Sequence, residues 1–332
     1  MFDYKIPIII AGAVMALFLI IALIRDKIHS TKQASDFQAD QDKKPQLDAV
    51  DISAIEEQLK NLCKNAVRLS IDGNNEYQKG GTRFGGNPDV PKDFKWPYFE
   101  TDTPFDKIIK PRPLAFLAQF NLSEVSEFDT EGLLPKSGTL AFFYEVASMR
   151  WGYEKEDEGC ARVYWFRNPE DLSPAEFPED LAAEYRFPAL NIALKSEKTY
   201  PDSEDYYLDR DDYSDTIDAF KRAQSSVDDS DNWSKLLGWA DIVQGNITSD
   251  CERIARGYTS DEVWNSDDFS KAELEEIEKH ASEWTLLFQL DSFYSGDFGL
   301  SFVDAGRIYF YIREEDLRLR RFDKAWLILQ TT

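Results

Sequence analysis

Two apolar segments of this chain each carry a glutamine followed two residues later by an amide or a carboxylate. The pairs are Gln119 with Asn121 and Gln289 with Asp291. Side chains two residues apart on a strand share one face, roughly 7 Å apart. Each pair therefore points to one side of its strand and can bond either a ligand or buried backbone.

These pairs have two open interpretations. In the structural one, each glutamine bonds neighbouring backbone and fixes how two sheet units join, because a buried amide without partners costs about 1–3 kcal/mol. In the functional one, the two strands face each other and line a polar cleft with an aromatic rim. The candidate binding residues are Trp96, Gln119, Asn121, Gln244, Gln289, Asp291, Asp304 and Arg307.

Histidine and cysteine give little support to the common catalytic sites. The chain has two histidines and three cysteines, Cys63, Cys160 and Cys251, with no C-x-x-C spacing. Zinc sites and imidazole bases need histidine together with other ligands or a base partner. We therefore predict no metal site and no cofactor, and we interpret the cysteines as small buried apolar side chains.

Hydrolysis with a carboxylate as general base is a catalytic function that the sequence leaves open. Asp291 or Asp304 could act as the general base of a hydrolase if its pKa were raised, but the sequence contains no sign of such a shift. The glycine-rich loop at 80–86 lacks the Gly-Lys-Ser/Thr ending of a phosphate-binding loop. These observations favour a binding function over an enzyme.

The repeated segments also predict the fold. Each glutamine strand is followed by a second apolar strand that begins with glycine, at 138–144 and at 306–311. Two sheet units related by an approximate twofold axis and packed with short helices are expected, and each has too few strands to cover both its faces. We therefore predict one β-rich α+β domain over 51–332, with the repeated units at about 110–166 and 284–330.

Hydrophobic spacing predicts the individual elements. The expected strands lie at 66–71, 114–120, 138–145, 161–166 and 324–330. The expected helices begin near residue 51 and include 215–223, 271–280 and a short one within 313–321. Glycine and proline predict a structured loop at 79–97 that Trp96 pins. Only short helices and loops are expected from Asn168 to Lys279.

The N-terminal region predicts a membrane anchor. Residues 6–24 form an uncharged apolar run of 19 residues, long enough to cross the hydrocarbon core of a bilayer. A short flank, 1–5, precedes this run, and a flexible polar linker, 25–50, follows it. More basic residues follow the run than precede it, which predicts a single-pass protein of the cell membrane with its C-terminal domain in the cytoplasm.

Charge narrows the range of partners. The chain carries a formal net charge of −24, which argues against nucleic acid because affinity for phosphates depends on clustered Lys and Arg. The favoured function is a non-catalytic module that binds an unknown protein or small ligand. Two alternatives stay open, namely the hydrolase with a carboxylate-based cleft and an acidic, immunity-type protein that neutralises a basic partner.

Several motifs, in order along the chain, carry a family resemblance. They lie at 85–97, 113–122, 236–246, 287–292, 305–310 and 313–317. Together they resemble the YwqG-like family, known as DUF1963, over roughly 55–330. The resemblance implies a β-rich α+β fold of bacterial type. It supplies no activity and no catalytic residues, because the family is uncharacterised.

Overall fold

One large antiparallel sheet organises the chain. The computed structural model describes residues 60–71, 78–202, 233–264 and 269–331. The architecture is α+β and rich in β-structure, with ten strands in the large sheet and few helices. The predicted anchor, the linker, the helix at 215–223 and most of the helix that begins near residue 51 lie outside the described residues.

The strands are short, and most are apolar. They are β1 (Lys64–Ile71), β2 (Arg83–Phe84), β3 (Asp89–Val90), β4 (Tyr98–Thr101), β5 (Lys110–Pro113), β6 (Ala115–Asn121), β7 (Thr139–Tyr144), β8 (Ala161–Phe166), β9 (Ser173–Pro174), β10 (Leu190–Thr199), β11 (Lys235–Leu236), β12 (Trp284–Asp291), β13 (Phe293–Ser295), β14 (Phe298–Leu300), β15 (Arg307–Arg313) and β16 (Trp326–Gln330).

The described helices are also short. They are α1 (Leu122–Val125), α2 (Ile247–Ala255), α3 (Ser260–Trp264), α4 (Lys271–Ala281) and α5 (Glu314–Arg318). Polar caps start several of them, because the first amides of a helix have no partner within it. Asn246 caps α2 by accepting from the Ser249 amide, and Ser270 forms a capping box with Glu273 at the start of α4.

The large sheet has the same arrangement of strands on both sides of its centre, with one short strand followed by three longer ones. The antiparallel pair β1 and β10 lies at the centre. On one side follow β11, β12, β15 and β16, and on the other follow β2, β6, β7 and β8. Each side thus begins with a two-residue strand and continues with three longer ones.

The register irregularities of the two sides also match. The pairing of β6 with β7 shifts between Phe116 and Ala118, and the pairing of β12 with β15 shifts between Leu286 and Phe288. A bulge of this kind increases the local twist of a strand. Both sides of the sheet therefore bend at the same position, two or three residues before the glutamine.

Aromatic side chains from both sides fill the space inside the curved sheet. The ring of Phe142 lies 4.6 Å from Phe288 and 5.0 Å from Phe310, measured between ring centroids. Phe120 packs on the same group, 5.3 Å from Phe288. Rings at these separations contribute attraction beyond the burial of their area. The inner faces of the two sides therefore form one core.

The outer faces are covered by different elements. Over β6 and β7, Phe94 and Trp96 pack on Phe143, with centroids 5.9 and 5.5 Å away. Over β12 and β15, apolar residues of α2 pack on Leu286 and Tyr309. Each side of the sheet thus has its own second apolar layer.

The two ends of the large sheet approach each other. The Leu329 amide of β16 donates to the carbonyl of Trp151, which lies between β7 and β8. The indole of Trp326 donates to the Gly152 carbonyl at 2.7 Å. These contacts leave the sheet nearly closed, and we call the line along which β8 and β16 approach the seam.

The structure confirms most of the predicted elements. Strands occupy the five predicted positions, and helices α4 and α5 lie at the predicted places. The prediction of only short helices and loops between Asn168 and Lys279 is wrong for Leu190–Thr199, which forms the central strand β10, and for the two-residue strands β9 and β11. Apolar residues alternate at its start, but its later half is polar. None of the described helices has the length and apolar character needed to cross a membrane.

Candidate functional site

Gln119 is the centre of a buried polar cluster on β6. Its amide oxygen accepts from the Asp89 backbone amide at 3.0 Å, and its amide nitrogen donates to the Asp89 carboxylate at 2.8 Å and to the Gly81 carbonyl at 3.1 Å. Arg83 pairs with the same carboxylate at 2.9 Å. We call Gly81, Arg83, Asp89 and Gln119 the N-terminal glutamine cluster.

Gln289 makes the same set of bonds on β12. Its amide oxygen accepts from the Asp241 amide at 2.9 Å, and its nitrogen donates to the Asp241 carboxylate at 2.9 Å and to the Trp233 carbonyl at 2.6 Å. Lys235 pairs with that carboxylate at 2.5 Å. We call Trp233, Lys235, Asp241 and Gln289 the C-terminal glutamine cluster.

A hydroxyl completes each cluster in the same way. The Asn121 amide donates to the Thr82 hydroxyl, and the Asp291 amide donates to the Ser234 hydroxyl, both at 3.0 Å. Each glutamine side chain is fully buried, and the hydrogen bonds described above join it to residues on its own side of the sheet. The structure therefore places Gln119 and Gln289 in two separate clusters, with the aromatic core between the inner faces.

The glycine-rich loop supports the N-terminal cluster. Gly85 and Gly86 both have positive φ, 58° and 70°. A Cβ on Gly85 would lie 2.2 Å from the Pro188 carbonyl oxygen, so a larger residue does not fit there. Arg83 in the same loop is 2% exposed and bonded to Asp89. The loop therefore positions this ion pair.

The two clusters differ in how their buried charges titrate. Burial by itself would raise the pKa of Asp89, but Arg83 and the neighbouring hydrogen-bond donors lower it overall. Burial lowers the pKa of Lys235 to about 8, although Asp241 opposes that shift. A lysine with a pKa in this range changes charge at mildly alkaline pH, which an arginine does not.

The C-terminal cluster is surrounded by further charges. The centroid of the Trp233 ring lies near two guanidinium groups, 5.7 Å from that of Arg68 and 5.3 Å from that of Arg307. Arg68 pairs with Glu197 at 2.6 Å, and Arg307 pairs with Asp291 at 2.9 Å. Each cation in this group thus has a carboxylate partner, so the group is balanced in charge.

The remaining candidate residues lie at other places. The Trp96 indole donates to the Leu114 carbonyl, and the Asn121 side chain caps α1. The backbone amide of Gln244 donates to the side chain of Gln330. Asp304 is exposed on the turn before β15, and its backbone bonds Thr331. The structure thus brings together Gln289, Asp291 and Arg307 but does not gather the eight candidates into one cleft.

A cavity of about 250 Å³ opens at the seam. Its walls come from the segment before and at the start of β8, from α2, from the start of β12, and from the segment around α5 and β16. The indole rings of Trp284 and Trp326 contribute aromatic surface. We call this space the seam cavity. Its charged lining residues are Lys155, Asp157, Glu158, Arg162, Arg313, Asp316, Asp323 and Lys324.

Some of these charges already have partners. Arg313 pairs with Glu252 at 2.6 Å and lies over the ring of Trp284. Lys155 pairs with Glu158 and lies over Trp326. Among the described residues, Arg162, Asp323 and Lys324 form no side-chain ion pair within 4.0 Å. These three groups are therefore available to a ligand with charges of both signs.

Three further groups in the cavity wall, Asp157, Cys160 and Cys251, have raised pKa values. Burial raises the pKa of the Cys160 and Cys251 thiols well above the usual value, which disfavours the reactive thiolate. Burial also raises the pKa of Asp157, whose carboxylate accepts from the Gly152 amide at 3.0 Å. Within the described ranges no three His, Cys, Asp or Glu residues are grouped to hold a metal ion.

No local sequence pattern predicts the seam cavity. Its walls come from segments that are far apart along the chain, and Trp326 bonds a residue 174 positions earlier. Each charged residue lies in an ordinary polar stretch. Only the near closure of the sheet brings these residues together.

Most of the chain matches one protein-family model. Residues 82–331 match the model described as a domain of unknown function, DUF1963. The match begins at Thr82, within the glycine-rich loop, and leaves β1 outside, whereas the resemblance is expected to extend from roughly residue 55. The search of curated proteins found no match.

Proposed function

The chain belongs to the DUF1963 family, and from this premise we propose that it is a membrane-tethered, non-catalytic module that binds a small zwitterionic ligand in the seam cavity. One observation carries the proposal. Beside two tryptophan rings, the cavity places charges of both signs that form no ion pair within the part of the chain that the structure describes. Binding sites commonly combine an apolar wall with a few polar groups that orient the ligand.

The lining indicates how such a ligand would lie. Arg162 and Lys324 would hold a carboxylate, for which a guanidinium provides two parallel donors. Asp323 would hold an ammonium group, and the tryptophan faces already attract the cations of Lys155 and Arg313. A volume of about 250 Å³ suits a molecule the size of an amino acid or a dipeptide.

A hydrolase is the second candidate function. The observation in its favour is Asp157, a carboxyl in the cavity wall whose pKa is raised by burial and which could therefore serve as a proton donor. The two aspartates that the sequence offers for this role lie elsewhere. Asp291 is paired with Arg307, and Asp304 is exposed.

The tether is part of the proposal. Residues 6–24 would cross the cell membrane once, and the basic residues that follow would keep the domain in the cytoplasm. An unknown protein partner is the alternative to the small ligand, and the net charge of −24 would favour a basic one. Resistance of the chain to alkaline carbonate extraction from cell membranes tests the anchor.

We also propose that the two sides of the sheet are copies of one unit related by an approximate twofold axis. The same outward strand order, the bulge before each glutamine and the same bonds in the two clusters support this relation. An experimental structure in which 83–166 and 235–330 fail to superpose through these strands would contradict it.

Calorimetric titration tests the binding site. The full chain in detergent is titrated with free amino acids and dipeptides, and we expect saturable binding of at least one probe. Arg162→Ala and Asp323→Ala should each weaken it about tenfold or more, because each removes a charge-assisted bond. Arg318→Ala, which removes an exposed arginine outside the cavity lining, is the matched control.

The outcomes separate the candidates. Equal binding by the parent and the two cavity variants contradicts the seam cavity as the site. Turnover of an ester, amide or dipeptide probe that is lost in Asp157→Asn would replace the binding module with the hydrolase. Absence of binding by every probe would contradict the zwitterionic ligand.

A further inference from the structure

The hairpin of β4 and β5 carries exposed apolar side chains at its tip. Phe105, Ile108 and Ile109 are 72%, 66% and 68% exposed. All three lie in the eight residues, 102–109, that connect the two strands. Single exposed apolar residues are ordinary, but three together on one loop indicate a contact surface. We call these three residues the hairpin tip.

The loop below the hairpin tip is held by a dense polar network. The Arg112 guanidinium donates to the carbonyls of Thr101, Asp106 and Ile108. It also pairs with the Asp106 carboxylate at 2.9 Å, and Lys110 pairs with the same group at 2.7 Å. These bonds hold the pKa of Asp106 well below its usual value.

Further bonds connect the base of the loop to the rest of the domain. Thr101 and Thr103 are buried, and Arg150 donates to the Thr101 hydroxyl and pairs with Asp102 at 2.8 Å. Polar groups therefore lie inside this loop while the apolar ones lie outside, the reverse of the usual arrangement. Because these bonds already hold the loop in one conformation, a contact made by the tip would cost little conformational entropy.

The charges around the tip differ from those of the chain as a whole. Residues 102–112 contain two carboxylates and three cationic side chains, in a protein with a net charge of −24. Both carboxylates are paired with cations. Lys107, between Phe105 and Ile108, forms no ion pair among the described residues. Residues 102–112 therefore lack the negative net charge of the whole chain, so an anionic surface would not repel this segment.

A lipid surface matches this chemistry. Side chains that enter the interface of a bilayer are large and apolar, with lysines that reach the headgroups and aromatic rings at the boundary. Tyr98 lies at the base of the hairpin, 42% exposed, with its hydroxyl donating to Asp180. The hairpin therefore combines an apolar tip, two lysines next to it and a tyrosine at its base, which are the residue types that an interface favours.

The predicted tether would keep such a surface close to lipid. A flexible linker of the length 25–50 has a root-mean-square span of about 30 Å. A surface held at that distance meets the bilayer at a high effective concentration, so a weak contact suffices. We propose that the hairpin tip inserts into the interfacial layer of the membrane in which the chain is anchored. This inference rests on the anchor in the proposed function.

An environment-sensitive fluorophore tests the insertion. The full chain, as the Cys63→Ser variant, is labelled at Lys107→Cys and reconstituted in vesicles of phosphatidylcholine with one fifth phosphatidylglycerol. Cys160 and Cys251 are buried and stay unlabelled in the folded protein. We expect a blue shift of the emission, and quenching by nitroxide lipids about twofold stronger than for the same label at Lys136→Cys, an exposed loop position.

Substitutions at the tip separate insertion from simple proximity. In Phe105→Ser/Ile108→Ser/Ile109→Ser the blue shift should disappear, and folding should be unaffected because the three side chains are exposed. Tyr294→Ser removes another exposed aromatic, 84% accessible, and should leave the signal unchanged.

Three results would overturn the inference. One is a label that stays in water while the chain resists alkaline carbonate, which leaves the anchor intact and removes only the hairpin contact. A second is loss of the chain from washed vesicles without any earlier lipid signal, which removes the anchor and the hairpin contact together. The third is a blue shift in detergent that grows with protein concentration, because this would assign the tip to a second copy of the chain.

Discussion

The two glutamine clusters have the same framework but hold different charges. In both, a glutamine bonds the amide and the carboxylate of an aspartate, and a cation from a two-residue strand pairs with that carboxylate. The cation is Arg83 on one side and Lys235 on the other. The shared bonds are those that the sheet needs for its fold, because they satisfy buried backbone on both sides.

The residues two positions after the glutamines, Asn121 and Asp291, also differ in charge between the two sides. Asn121 pairs in register with Thr139, whereas Asp291 pairs with Arg307. The buried hydroxyl of Thr139 has no hydrogen-bond partner among the residues that the structure describes, while Asp291 and Arg307 form an ion pair. The C-terminal side therefore carries additional buried charge that the framework does not require.

The largest expected effect comes from removing the buried cation. Lys235→Met and Arg83→Met should each lower the free energy of unfolding by about 3–5 kcal/mol, because each leaves a carboxylate without its cation, fully buried in Asp89 and mostly buried in Asp241. Denaturant unfolding of the detergent-solubilised chain, followed by tryptophan fluorescence, measures this loss. Lys271→Met, which removes a lysine with a 90% exposed side chain, is the control. A loss on one side only would show that the frameworks are not equivalent.

Removing the glutamine itself should have a somewhat smaller effect. Gln119→Leu and Gln289→Leu should each lower the free energy of unfolding by about 3 kcal/mol, because a backbone amide and a carbonyl lose their buried partner. The same unfolding measurement applies, with the exposed Gln78→Leu as control. If both variants are as stable as the parent chain, the structural role of the glutamines is wrong.

The smallest effect concerns pH. The folded pKa of Lys235, about 8, is below the unfolded value of about 10.4, so the unfolded chain binds more protons between these values. The stability contributed by Lys235 therefore rises with pH in that window. Relative to Lys235→Arg, the parent should gain about 2.5 kcal/mol between pH 7 and pH 10. Equal pH profiles would contradict the lowered pKa, and Arg83→Lys should acquire a similar window.

Sequence reasoning predicts the parts of this fold that depend on local pattern. Apolar runs predict β6, β7, β8 and β16, with glycine or proline just before the first three, and the repeated glutamine marks both cluster centres. The family assignment follows from motifs of the same kind. These features depend on residues that are close together in the chain.

Contacts over long sequence separations explain what sequence reasoning missed. The partner of Gln119 is Asp89, 30 positions away, and the partner of Gln289 is Asp241, 48 positions away. Asp89 begins the two-residue strand β3 and Asp241 lies in a loop, and the course of both segments depends on the whole sheet. The polar second half of β10 reads as loop because its lysines and glutamate face solvent or, for Glu197, pair with Arg68. Strand β10 therefore follows from tertiary pairing with β1.

The near closure of the sheet also affects how copies of this protein behave at high density. An open outer strand offers amides and carbonyls that a neighbouring molecule can extend into a fibre. Here β16 is partly shielded, since the Leu329 amide already donates to Trp151 across the seam. A strand from another molecule could pair with this edge only after that hydrogen bond breaks. Strand β16 therefore resists edge-to-edge association at high protein concentration.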